Sequence, residues 1–534
     1  MEASFSIFLT LIAVLAATVL LAKRINIAPA ILLLLAGIAL AFVPGMPALE
    51  LPPEVVLLGV LPPLIYSASV AMSWREFRFS LRLITLLAVG CVIFTACLVA
   101  TATHYLIGLP WGVGFLLGAI VAPPDVVAPL AVARKLGLPR RLLVVLEGEG
   151  LANDATTLIL YRFAVAAITT GAFSFPKAAG TFVAILACEL AFGLAIGWLS
   201  LRLRQWTRDP QVEITLSLLT PYVAYLIPAH FGGSGVIATV ACGLYISWNG
   251  PLLISAATRL QGIFFWDLII YLVEGLLFLM TGFQMRAILE KSKAFPLAEI
   301  VAATALVMAV IIAARFVWVY AAIYVPRMLS AGLRKRDPAP NWQWTFVVAF
   351  TGVRGAVSLA AALALPFTMM SGAAFPARDL ILFVSFNVIL ITLVGFGLGL
   401  PLVVKWMKIG KIGRREHIAE HEAELRARRE ALAKALASLD AMTDDRELSD
   451  EVVKILRARH ESRSNQLPDE FDPEVDVSAL GTDLVRELIK EERKFIHMQL
   501  RDGKITDESR RRIERDLDLE EAGLINREYR RIPL

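Results

Sequence analysis

Along the first four hundred residues the apolar positions come in long unbroken runs, not at the spacing of a half-buried helix or strand. A run of about 20 apolar residues is the length a helix needs to cross a bilayer. Helix is the expected spanning element because backbone polar groups in lipid must be satisfied within the segment. The runs predict thirteen spans, at 7–22, 28–43, 53–72, 82–107, 111–133, 143–169, 178–201, 212–229, 232–247, 263–284, 297–325, 343–365 and 379–404. The break between the eighth and ninth is the faintest, marked by His230 and Gly232-Gly233. From Lys405 the pattern changes. Ile418, Leu425, Leu432 and Leu439 recur every seven residues among charges, with Leu436 beside them, which predicts a long helix with a narrow apolar stripe. A stretch rich in proline and acids from Leu467 to Asp476 predicts a linker, followed by amphipathic helices near 479–501 and 505–522. The expectation is an all-α membrane protein of about 13 transmembrane helices (1–404) with a cytoplasmic helical tail (405–534).

Composition sharpens this division. The chain of 534 residues is 57% hydrophobic and 19% charged. Residues 1–404 hold 25 Lys+Arg and 17 Asp+Glu, and residues 405–534 hold 27 and 30. That excludes an ordinary soluble enzyme and a disordered chain. The loops decide the sense of insertion. Odd-numbered loops carry 17 basic residues and even-numbered loops 5, counting Lys23, Arg24, Arg75, Arg78 and Arg82 among the first group and Lys177, Arg286 and Arg378 among the second. Basic loops stay in the cytoplasm, so the N-terminus is expected outside and the tail inside. The basic excess is then membrane topology, and no nucleic-acid partner is expected. The first run is followed by Lys23-Arg24 without a small-residue cleavage site, so it reads as a span rather than a removed signal. Cys91, Cys97, Cys188 and Cys242 all fall in apolar segments, with neither disulfide nor zinc spacing.

Carboxylates inside such spans are the candidate chemistry, because each costs roughly 2.5–3.5 kcal/mol at a helix centre on insertion scales. The sixth span holds Glu147, Glu149, Asn153 and Asp154 within two turns. Glu149 and Asn153 share one face (i, i+4), whereas Gly150 and Asp154 share another, with Glu147 one turn earlier on that stripe. The two deeper carboxylates therefore point in different directions. One is expected to need a fixed partner and the other to be free for a mobile cation. The fifth span is interrupted by Pro123-Pro124-Asp125 and the twelfth by Thr351-Gly352-Val353-Arg354-Gly355. Interrupted spans expose half-helix ends that bind ions. Span 5 corresponds to span 12 if spans 1–6 and 8–13 are two repeats. An offset of seven makes those repeats inverted, and paired interruptions then point to a transport site at the midplane.

These motifs carry a resemblance. LEGEGLANDATTLILYRFA after GAIVAPPDVVAP, then FWDLIIYLVEGLLFLMTG and FTGVRGAVSLAAALALP, resemble the monovalent cation:proton antiporter family of bacterial and eukaryotic sodium/proton exchangers, over essentially all of the membrane part. The tail sequence RDGKITDESRRRIERDLDLEE resembles that of bacterial members. The resemblance implies a bacterial inner-membrane antiporter, homodimeric and without cofactor or resident metal, exchanging Na+ (or K+ or Li+) for H+. It implies that Asp154 alternately binds cation and proton, and that Asn153 is the neutral member of the pair, which favours one-for-one exchange. It implies a structural ion pair between Glu149 and Arg354, and an Asp125 that offsets positive half-helix ends. Four positions depart from the family pattern: Gly150 stands for a serine, Pro124 for a threonine, Ser67 for an acid in the third span, and Glu274 for a neutral residue in the tenth. Glu274 is a candidate replacement for the acid absent at Ser67.

Other readings remain beside these. Asp125 fits ion contact and dipole compensation equally. Glu147 fits the lining of a cytoplasmic entrance. Arg315 in the eleventh span reads as a packed or lipid-facing side chain. His417 and His421, four apart, read as solvated rather than metal-binding. Trp74, Trp111 and Trp406 read as interfacial anchors. A potassium/proton antiporter is the alternative within transport. A membrane sensor is disfavoured by a tail with no catalytic or nucleotide motif, and an intramembrane aspartyl protease by the absence of paired Gly-x-Gly-Asp and Tyr-Asp motifs.

Overall fold

The computed structural model describes residues 2–44, 51–171, 174–207, 209–292, 296–369, 372–445, 450–465, 477–502, 504 and 507–528. It divides into two compact units, 1–409 and 410–534. In the first unit, helices α1 (Glu2–Ile25), α2 (Pro29–Ala41), α3 (Val55–Ala71) and α4 (Trp74–Ile107) lead into α5 (Trp111–Val121) and α6 (Val127–Lys135). Next come α7 (Arg140–Thr170), α8 (Phe175–Thr207), α9 (Pro210–His230), α10 (Val236–Leu253) and α11 (Ala256–Phe283). The unit closes with α12 (Met285–Ser292), α13 (Leu297–Leu329), α14 (Ala331–Arg336), α15 (Trp342–Phe350), α16 (Ala356–Leu363) and α17 (Arg378–Met407). Helix coincides with each of the thirteen expected stretches, and the fifth and twelfth are split into α5/α6 and α15/α16. Among the described residues, eight helices are long and apolar enough to cross a membrane.

The local chemistry explains the boundaries. Proline opens α2 and α9, where its missing N–H costs nothing. Asp209 caps α9 by accepting from the N–H of Gln211 and Val212 at 2.9 and 3.0 Å. Pro62-Pro63 withhold two donors from the first turns of α3, which open into a wider turn over Val55–Val60. The carbonyl of Gly59, left without its Pro63 donor, accepts from the Tyr222 hydroxyl at 3.0 Å. Gly232 and Gly235, both at positive φ, turn the chain between α9 and α10. There the buried Glu189 carboxylate accepts from the N–H groups of Ser234, Gly235 and Ile237 at 2.5, 3.0 and 3.1 Å, satisfying the start of α10.

Two packing groups position the site. One apolar cluster joins α4, α6, α7, α13, α15 and α17 through Leu83, Leu130, Leu146, Val319, Val348 and Leu400. A smaller one joins α3, α8, α9 and α10 through Tyr66, Leu201, Ala224 and Cys242. Helices α2 and α11 approach to backbone contact, since a Cβ at Gly37 would overlap the Leu279 carbonyl and one at Gly282 the Leu34 carbonyl. All four cysteines are free.

In the second unit, α18 (Gly410–Asp445), α19 (Asp450–Asn465), α20 (Val477–Arg501) and α21 (Asp507–Glu528) form a helical assembly. Helix α19 was not expected from the sequence. Its large apolar residues are confined to its first two turns, and it pairs with α18. Ile489 and Leu517 join α20 to α21. The linker expected over Leu467 to Asp476 and the side chain of His417 lie outside the described residues. No group of three or more metal-ligating side chains occurs among the described residues.

Candidate ion site

The two interruptions meet. In an unbroken helix the N–H of Asp125 would bond the carbonyl of Val121. Here it bonds the carbonyl of Val353 in the other interruption, at 2.7 Å. Val121 O accepts instead from Arg354 Nε at 2.9 Å. A second Arg354 nitrogen reaches the Gly352 carbonyl, and the Arg354 backbone N–H is held by Thr392 Oγ1 at 3.0 Å. The end of α15 is met in the same way. Val348 O accepts from Arg315 Nη2 at 3.1 Å and from Thr351 Oγ1 at 2.9 Å. Guanidinium groups thus stand at both helix C-ends. The two N-ends face a carboxylate: Asp125 Oδ1 accepts from the Val127 N–H, the first of α6, at 3.0 Å. The same side chain lies against Gly355 just before α16, where a Cβ would overlap it. Each helix end carries roughly half an elementary charge, so the paired N-ends offset the charge of Asp125, and guanidiniums of the opposite sign offset the C-ends.

Helix α7 supplies the remaining groups. The ion pair of Glu149 is formed with Arg315, which contacts both carboxylate oxygens at 2.7 and 3.1 Å. The expected pairing with Arg354 is corrected by this geometry. Arg354 is fully buried at the crossing, where orphaned carbonyls take its donors, whereas α13 brings Arg315 straight onto α7. Arg315 is accordingly neither lipid-facing nor merely packed. Glu149 is 0% and Arg315 3% exposed, and a buried pair at bidentate geometry is strong only because both partners are present.

Asn153 donates its amide to the Pro124 carbonyl at 2.8 Å, which ties α7 to the broken segment. Its Oδ1 is buried and has no hydrogen-bond partner among the described residues. Gly150 lies over Val126, whose side chain a Cβ there would overlap. Asp154 is half-buried, and among the described residues its carboxylate has neither hydrogen bond nor ion pair. It lies within electrostatic reach of Asp125. Glu274 on α11 interacts through charge with Asp125 and Arg134. Glu147 pairs with Arg134, at the end of α6, at 2.5 Å. Ser67 is half-buried on α3, which packs against α11, and no hydrogen bond or ion pair joins it to the other named residues among those described. Sequence reading missed Arg315 and Thr392. An arginine alone in an apolar span matches one carboxylate in need of a partner, but two arginines qualified, and Thr392 gave no signal.

Two crossed, interrupted helices beside one matched and one unmatched intramembrane carboxylate define a secondary ion transporter. The family described as "Sodium/hydrogen exchanger, transmembrane" matches residues 10–406. An uncharacterized Na(+)/H(+) exchanger of Mycobacterium tuberculosis is 34% identical over 97% of this chain and 96% of its own. A sodium, potassium, lithium and rubidium/H(+) antiporter of Bacillus pumilus is 33% identical over 69% of this chain and 56% of its own. Among solved structures, the sodium proton antiporter MjNhaP1 of Methanocaldococcus jannaschii aligns with a TM-score of 0.60 at 17% identity, covering 76% of this chain and 97% of that one. The chain belongs to the sodium/hydrogen exchanger family, a family of membrane transporters rather than enzymes.

Proposed function

We propose that this protein is an electroneutral sodium/proton antiporter in which Asp154 binds the cation and the proton in turn. One observation supports the reading: among the described residues Asp154 is the carboxylate on the site helix without a partner, while Glu149 and Glu147 on the same helix are paired. A low-dielectric site disfavours an isolated carboxylate, and either a proton or a cation relieves it. One carboxylate cannot hold both. The free Oδ1 of Asn153 is a neutral oxygen available to the cation, and Asp125 shares the neighbourhood. Exchange follows when the site opens to one side at a time.

In this reading thirteen spans form inverted six-helix repeats, with the N-terminus outside and residues 405–534 in the cytoplasm. The protein is a homodimer of the bacterial inner membrane that needs no cofactor. Potassium is the second reading. Gly150 brings no side-chain oxygen, and the Pro124 carbonyl is already engaged by Asn153, so the oxygen shell available to a small cation is thin. The test is proton release from acid-loaded everted vesicles on addition of Na+, Li+ or K+. Asp154→Asn is expected to abolish the response to every ion, and exchange at the unmodified rate in that variant refutes the reading.

A further inference from the structure

Away from the ion site, three arginines from three helices converge on one carboxylate. Asp337, just after α14, accepts from Arg82 Nη2 (α4) at 3.0 Å, from Arg141 Nη2 (α7) at 2.7 Å and from Arg327 Nη2 (α13) at 2.7 Å. Arg327 is fully used within the protein, since its Nε bonds the Asp337 carbonyl at 3.0 Å and its Nη1 the Ile323 carbonyl at 2.5 Å. Arg82 and Arg141 are different. Each gives Asp337 a single nitrogen, and their side chains remain 30% and 32% exposed. Arg82 Nη1 and Arg141 Nε are enclosed and have no hydrogen-bond partner among the described residues, so an outside ligand would meet the remaining, part-exposed nitrogens of each guanidinium. Three cations on one anion leave a net charge of +2 in a partly dehydrated cluster, where like charges repel strongly. A purely structural tie would balance better. The cluster lies among the odd-numbered basic loops: Arg75, Arg78, Arg334, Lys335 and Arg336 are close to it in sequence, and Glu76, the acid of that stretch, is taken up by Arg140 at 3.0 Å. Beside it the surface is apolar: Phe79 is 64% exposed, with the Arg141 guanidinium 5.2 Å from its ring, and Leu81 is exposed. Part-exposed guanidiniums that each give Asp337 one nitrogen, next to exposed aromatic and aliphatic side chains, match a phosphodiester with acyl chains attached.

We propose that Arg82 and Arg141, held in place by Asp337 and Arg327, bind a phosphate-bearing anion, supplied in the membrane by the headgroup of an anionic phospholipid. The site ties α4, α7 and α13 together from the membrane surface. It stands independently of which ion Asp154 carries.

The experiment measures thermal unfolding of the full-length protein in detergent with increasing dioleoylphosphatidylglycerol, dioleoylphosphatidylcholine or inorganic phosphate. Phosphatidylglycerol is expected to protect and phosphatidylcholine not. One basic side chain near an anionic surface contributes about 1 kcal/mol, so Arg141→Gln should raise the half-protecting amount about fivefold. Arg141→Gln leaves the Arg82 and Arg327 bonds to Asp337 in place. Asp337→Asn separates lipid binding from a structural role: it lowers basal stability, yet by removing the competing negative charge it should lower the half-protecting amount of phosphatidylglycerol. Equal protection by the two lipids, or a weaker phosphatidylglycerol response in Asp337→Asn, overturns the proposal. Full protection by inorganic phosphate, with nothing added by the lipid, overturns the lipid as source and assigns the site to a free oxyanion.

Discussion

At the scale of single residues the site separates charges that hold the protein together from one that is free to work. Glu149 and Arg315 are buried and bidentate, so removing one partner leaves the other charged and dehydrated, at a cost of about 3–5 kcal/mol. Arg315→Gln should therefore lower thermal stability sharply, and Glu149→Gln in the same chain should restore most of it. Arg354→Gln should show no such recovery with Glu149→Gln, because its donors go to the carbonyls of Val121 and Gly352. A double-mutant cycle by thermal unfolding checks both pairs, and equal coupling of Glu149 to the two arginines would contradict the geometry. The pattern also limits what lost transport can mean. A variant of Arg315 or Arg354 that fails to transport can fail through stability alone, so a role in ion binding belongs to the group whose loss leaves the fold intact. In the proposed reading Asp154 is that group, since among the described residues its carboxylate has no hydrogen bond or ion pair to lose.

At the scale of elements, charges near the helix ends are matched across neighbouring helices. The half-helix α6 carries in its last turn Arg134, which pairs with Glu147 on α7 two turns before Asp154 and lies within reach of Glu274. The two charges cancel locally. Arg134→Gln leaves Glu147 to attract cations and should lower the apparent KM for Na+. Glu147→Gln leaves Arg134 to repel them and should raise it, and the double variant should return towards the original value. Initial rates against Na+ concentration decide this, and shifts of the same sign in both single variants would show a structural rather than an electrostatic effect. The Asp337 tie has its own signature. Burial would raise its carboxyl pKa, but the hydrogen bonds and charges of Arg141 and Arg327 outweigh burial and hold it below the usual range. Its folded-state pKa is thus lower than its unfolded value of about 3.9. The stabilisation is complete above that value and fades as pH falls through the folded one. The stability gap between the original protein and Asp337→Asn, measured in lipid-free detergent, should be constant at neutral pH and close under strong acid. These ends also mark what sequence could and could not convey. Pro123-Pro124 and Gly352-Gly355 announced both interruptions, because backbone chemistry is local. Helix α19 escaped because its large apolar residues, Val452, Val453, Ile455 and Leu456, are confined to its first two turns and set no sustained helical period, and its pairing with α18 is a contact between distant segments.

For the whole molecule, what was legible follows the same division between local and non-local causes. The apolar runs and the motifs around the Asn153-Asp154 pair are written in short stretches, so the membrane part and its family could be read directly. Which arginine meets Glu149, and that Arg82, Arg141 and Arg327 share Asp337, depend on how helices pack, and no short stretch encodes that. The assembled set of charges then makes an electrical prediction. Glu149 is balanced by Arg315, Glu147 by Arg134, Asp125 by two helix N-ends and Arg354 by helix carbonyls. With Asn153 neutral, the proposed cycle leaves Asp154 as the site-helix carboxylate that changes its occupant, and it would then pass one positive charge inward for each one outward. A net movement of one charge would couple the cycle to voltage by about 2.3 kcal/mol per 100 mV, roughly a fiftyfold shift in the ion ratio at equilibrium. Proteoliposomes carrying a potential imposed by a thiocyanate gradient, which leaves K+ out of the measurement, should therefore reach the same Na+ and H+ ratios at every voltage. A fiftyfold displacement would require a second group to carry a proton, and Glu274, half-buried on α11 and within electrostatic reach of Asp125, is the group to neutralise next. If Glu274→Gln then abolished the voltage dependence, the stoichiometry would be two protons per cation rather than one.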